Sequence, residues 1–123
     1  MKIIEAIQPH MFQELLKLCM HELELDHLPE IEFVDESHLS AYGKNSFGEF
    51  DGRKIRIIVQ NRHPMDVART LSHELVHWKQ LLVGQNMDGG DGSEVENAAN
   101  AIAGIILRKF GEQYPEYFVN SLP

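Results

Sequence analysis

The 123-residue chain has a single cysteine, Cys19, so no disulfide can form within it. A lone thiol fits a reducing compartment. Long apolar runs are missing too. The longest, Ala101 to Leu107, is seven residues, far below the ~18 that span a membrane. The first twelve residues include Glu5, Gln8 and Pro9, which interrupt the apolar stretch a signal peptide needs. Positive charge is scarce: 11 Lys and Arg stand against 19 Asp and Glu, for a net charge of −8 and a pI near 5.3. That balance disfavours binding to nucleic acid or to anionic membranes. No internal repeat or low-complexity tract is present. The expectation is a soluble, cytoplasmic protein with neither nucleic acid nor membrane as a partner.

The remaining composition is ordinary for a globular chain, with 43% hydrophobic and 24% charged residues. The length suits one domain over residues 1–123, able to bury roughly two-thirds of its unfolded surface. Phe12, Leu15, Leu16, Cys19 and Leu23 recur at helical spacing and predict a helix from Pro9 to about Leu25. On that stripe Cys19 reads as a small core residue, with a zinc-touching thiolate as the rival. Ile31 to Val34 reads as a short strand. Ser46 to Phe50 and Lys54 to Val59 read as a hairpin across Asp51-Gly52, a pair that favours a type I′ turn. Pro64 and Asp66 suit the start of a helix. Val67, Leu71, Leu75, Trp78 and Leu82 give it an apolar stripe, and Gly84 stops it. The loop from Asn86 to Gly92 carries Asp88 and Asp91, but at no EF-hand spacing. A last helix runs from Ser93 to about Phe110, with Val95, Ala98, Ala99, Ile102 and Ile106 buried.

Within the helix after Pro64 lies His73-Glu74-Leu75-Val76-His77, an HExxH pattern. Histidines four apart on a helix project from one face and can grip one Zn²⁺. The glutamate between them can take a proton from water activated by that metal. Random placement of this composition yields the pattern with a chance of roughly 4%, so context must support it. His21-Glu22 begins the same way, but Leu25 stands where the second histidine would be.

A catalytic zinc site keeps three protein ligands and one open position. No histidine or cysteine follows His77, and Gln80 and Val83 stand where metzincins need glycine and histidine. A downstream ligand must then be a carboxylate, either Glu94 or Glu96. Glu96 is preferred, because the chain can finish one helix, turn and start another before it. Asn100, one turn further on, can hydrogen-bond a ligand histidine. The rival reading is a helix cap, since Ser93-Glu94-Val95-Glu96 fits the capping box.

These residues resemble a gluzincin, the zinc metallopeptidase clan with HExxH and a downstream glutamate. Glu96 to Ala103 is similar to the ExEANxFA segment of ImmA/IrrE-type peptidases, with Ala98 and Ile102 replacing its second glutamate and its aromatic. The strand ending near Asn61, then the linker and the HExxH helix, resemble that family as well. The compact length resembles the minigluzincins. The resemblance covers roughly Gly43 to Leu107. It implies an α+β, minimal zincin-like fold. A small twisted, mostly antiparallel sheet would pack on the HExxH helix and the C-terminal glutamate helix. Its edge strand, mapping to Ser46 to Phe50, would bind an extended peptide or protein substrate.

The activity expected is peptide hydrolysis with one Zn²⁺ on His73, His77 and Glu96, and with Glu74 as general base. The oxyanion stabiliser stays open among His38, Tyr42, His63, Tyr114 and Tyr117. The tail after Glu112 either covers core or occupies the cleft as an inhibitor. Two rivals remain: a zinc-binding regulatory module without turnover, and an interaction protein whose HExxH is incidental. Deformylases combine HExxH with a cysteine ligand, but Cys19 lacks their glycine-rich surroundings.

Overall fold

The computed structural model describes residues 9–34, 48–59, 62–84 and 94–116. Its elements are α1 (Pro9–Glu22), β1 (Glu30–Val34), β2 (Gly48–Phe50), β3 (Lys54–Ile58), α2 (Pro64–Leu82) and α3 (Glu94–Gln113). The described residues form an α+β fold, three helices packed with a small sheet. Among the described residues no helix is long and apolar enough to cross a membrane.

Helix α1 buries Met11, Phe12, Leu15, Leu16 and Cys19 along its stripe. It stops three residues earlier than its periodicity suggests. Leu25 N–H donates to the Met20 carbonyl at 2.8 Å and Glu24 N–H to His21 at 3.3 Å. This 6→1 and 5→2 pair is a Schellman cap. It puts Glu24 in the left-handed region, with φ of 52°.

The strand order is β1-β3-β2. β1 and β3 pair in parallel over five residues, with Ile31 opposite Ile55 and Phe33 opposite Ile57. β2 pairs antiparallel with β3 over three. The sheet is therefore mixed, and the expected mostly antiparallel sheet is corrected. Alternation along a strand assigns faces but is silent on which strand lies beside which. The inner face carries Ile31, Phe33, Ile55 and Ile57, all buried. The outer face places opposite charges side by side. Lys54 reaches Glu30 at 2.8 Å, and Arg56 reaches Glu49 at 3.4 Å and Glu32 at 3.6 Å. Such exposed pairs are worth about 0–1 kcal/mol each, yet they favour this register over a slipped one.

The hairpin turn also differs by one residue from the expected I′ pair. Asp51 faces Lys54, so the central residues are Gly52 and Arg53. Only Gly52 takes a positive φ, 97°, as the first central position of a type II′ turn does. The Asp51 carboxylate accepts from the Arg53 and Lys54 amides, both at 2.9 Å. Those two bonds hold its pKa below the usual carboxylate range.

Pro64 opens α2, and the His63 ring caps it by accepting from Met65 N–H at 2.9 Å. Arg62 ties the end of β3 to this first turn, donating to the Ile58 carbonyl at 2.7 Å, the Asp66 carbonyl at 2.9 Å and the Thr70 hydroxyl at 2.7 Å. Val67, Leu71 and Leu75 are buried as their spacing predicts. Leu82 is instead 44% exposed, because α3 begins opposite Gln80 and leaves the last turn of α2 beyond it. Gly84, with φ of 78°, follows the helix end.

Helix α3 buries Ala99, Ala103, Ile106, Leu107 and Phe110. Tyr114 packs against Phe110 at a tilt, with ring centroids 5.2 Å apart, and donates to Glu14 of α1 at 2.9 Å. The tail up to Glu116 is thus anchored to core, and residues 117–123 lie outside the described residues.

Candidate metal centre

The site is built on two antiparallel helices. Gln80 of α2 meets Val95 of α3, His77 meets Glu96, and His73 meets both Glu96 and Asn100. Helical spacing sets the two imidazoles one turn apart, edge to face, with ring centroids 4.7 Å from each other. Their Nε2 atoms approach to 3.1 Å. Glu96 completes the group: Oε1 lies 2.6 Å from His73 Nε2, and Oε2 lies 3.2 Å from His77 Nε2. One ligand atom from each of the three residues falls within 4.8 Å of the others, a group that can hold a metal ion.

The chemistry of the donor set favours a cation. Burial lowers the His73 pKa, more than Glu96 raises it, which favours the neutral ring that metal ligation requires. Two imidazoles and a carboxylate aimed at one point suit a borderline cation with nitrogen and oxygen ligands. The site is partly accessible, with 18%, 10% and 23% of the His73, His77 and Glu96 side chains exposed.

Glu74 sits beside the group on the face of α2 turned to β2. It is 8% exposed. Its pKa is pushed up to about 8, first by burial and then by the negative charges of Glu96 and Glu49. A carboxyl so placed can hold or release a proton near neutral pH. β2 comes this close because residue 48 is glycine. A Cβ there would stand 2.6 Å from Thr70 Cγ2 and 3.5 Å from Glu74 Cγ.

The chain has no significant match to a protein family, a curated protein or a solved structure.

Among the other residues singled out, Asn100 lies on α3 close enough to raise the His73 pKa slightly, well below the effect of burial. Glu94 is exposed at the helix start, and it does not belong to the metal-capable group. Cys19 is fully buried, its sulfur 3.8 Å from the Ser72 hydroxyl, and burial pushes its thiol pKa up to about 12. It is a core residue, and the zinc-touching thiolate is set aside. Of the oxyanion candidates, His63 is occupied as the α2 cap and Tyr114 lies at the far end of α3, bonded to α1. His38, Tyr42 and Tyr117 lie outside the described residues, as do the loop aspartates Asp88 and Asp91.

One residue at the centre was missed from sequence. Gln80 is 4% exposed, with Oε1 2.7 Å from His77 Nδ1 and its amide nitrogen donating to the Val95 carbonyl at 3.0 Å. Its position three residues after His77 was the available signal, because i and i+3 share a helix face.

Proposed function

We propose that the protein is a zinc-dependent peptidase of gluzincin type, with a minimal zincin-like fold and one Zn²⁺ per chain on His73, His77 and Glu96. The observation that carries this reading is the convergence of His73 Nε2, His77 Nε2 and the Glu96 carboxylate beside a buried Glu74. Around a tetrahedral zinc with bonds near 2.0–2.1 Å, ligand atoms lie about 3.3 Å apart. The contacts of 3.1 and 3.2 Å are close to that figure, and the 2.6 Å contact between His73 and Glu96 is shorter, the length of a hydrogen bond. Zinc at such a site supplies Lewis acidity, polarising a carbonyl and making water acidic near neutral pH.

The rest of the work falls to side chains and backbone. Glu74 takes the proton of the attacking water and returns it to the leaving amine. β2, the edge strand beside Glu74, offers its outer edge to an extended peptide, which adds as a further strand. Asn100 orients His73. The carboxylate charge on the metal-binding group and the buried general base distinguish this arrangement from structural zinc sites, which four protein ligands usually close.

The test is zinc content by elemental mass spectrometry on untagged wild type and Glu96→Ala. About one zinc per wild-type chain and a clear loss in the variant are expected. A peptide-library screen then compares wild type with Glu74→Gln, which is expected to keep zinc and lose about 10²–10⁴-fold in turnover. Wild type that takes up no zinc after incubation with the metal would end the peptidase reading.

A further inference from the structure

We infer that Gln80 is a positioning residue for the metal centre, holding His77 in the tautomer that presents a bare Nε2 lone pair and tying it to the peptide unit of Glu96. The inference rests on the metal-binding reading above and adds a residue to it.

The proton assignment follows from the two ends of one amide. The Val95 carbonyl can only accept, so the end of Gln80 facing it at 3.0 Å is the NH₂ group. The end facing His77 Nδ1 at 2.7 Å is then the oxygen, which can only accept. Nδ1 must therefore carry the hydrogen. A neutral imidazole has a single N–H, so Nε2 is left with its lone pair, pointing at Glu96 and at His73 Nε2. That is the form a cation needs. Without the Gln80 oxygen, the ring would be free to place its hydrogen on Nε2 and block the ligand position.

The second bond extends the effect across the helices. The Val95 carbonyl belongs to the peptide bond whose nitrogen is that of Glu96. One buried side chain thus links a histidine ligand on α2 to the backbone of the carboxylate ligand on α3. At 4% exposure, water does not compete for either bond. Outer-shell partners of this kind typically change metal affinity by about 10–100-fold when removed.

The test combines the His77 tautomer with zinc affinity. Long-range ¹H–¹⁵N spectra of metal-free protein are recorded near pH 8, above the ordinary histidine pKa of about 6.5. Wild type should show His77 as Nδ1–H. Gln80→Leu should show a mixture of tautomers or Nε2–H, and should bind zinc about 10–100-fold more weakly in a chelator competition. Gln80→Glu keeps an acceptor for Nδ1–H but loses the donor to the Val95 carbonyl, so it should restore the tautomer without restoring the full affinity. A residue that merely joined two helices would leave the tautomer unmoved. His77 found as Nε2–H in wild type would overturn the proposal, and so would Gln80→Leu affinity within about 3-fold of wild type. Should Gln80→Leu fail to fold, the wild-type spectrum and Gln80→Glu still decide. Absence of zinc from wild type would sink the peptidase reading, while the spectrum would still report on Gln80.

Discussion

Gly48 and Thr70 are packed so closely that a Cβ on the glycine would stand 2.6 Å from the threonine Cγ2. The contact sets the distance between the edge strand and α2, and so places β2 against Glu74. Gly48→Ala is expected to destabilise the protein by about 1–3 kcal/mol, since the strand must back away from the helix. Thr70→Ser removes the methyl and keeps the hydroxyl that Arg62 donates to and that donates to the Asp66 carbonyl. In the Gly48→Ala background it should recover stability, with a coupling of about 0.5–3 kcal/mol in a double-mutant cycle. Denaturant unfolding of the four proteins measures it. Strictly additive effects would show that the two residues do not meet.

Glu74 makes the metal-free protein less stable as pH rises. Its folded pKa, about 8, lies above the unfolded value of about 4.3. The folded state therefore holds a proton that the unfolded state has released, and stability falls with pH between those values. Its contribution is fully present below about pH 4.3 and is lost as pH passes through 8. Glu74→Gln cannot titrate. Relative to wild type in the presence of chelator, the variant should gain in Tm as pH increases from 4 to 9. Other carboxylates are common to both proteins and cancel in the difference. Parallel Tm profiles would refute the shift.

Glu24 holds a positive φ of 52° at the α1 cap, where glycine carries no Cβ penalty. Glu24→Gly should stabilise the protein by roughly 0.5–1 kcal/mol, the left-handed strain outweighing the added freedom of the unfolded chain. Thermal unfolding would register a rise in Tm. An unchanged or lower Tm would mean that the cap is not strained.

Local chemistry made much of the molecule legible. The HExxH spacing places His73 and His77 on one helical face wherever that helix sits, because 3.6 residues make a turn. Pro64 and Gly84 mark the ends of α2 through backbone constraints that act within a few residues. The α1 stripe from Phe12 to Leu23 is buried as its period indicates. The turn at Gly52-Arg53 was misplaced by one residue, because register depends on the partner strand as well as on the Asp-Gly pair.

Sequence alone set the two histidines on one helical face with Glu74 between them, and left only carboxylates as candidate ligands downstream, since the first follows from helical period and the second from the residue types present. Only the tertiary structure decided the rest. It set β1 parallel to β3 and β2 at the edge, and chose Glu96 over Glu94 to face the histidines. It also brought Gln80 to His77 and Val95. Those relations are set by packing between elements remote in the chain, and no local spacing encodes the angle or register at which two elements meet.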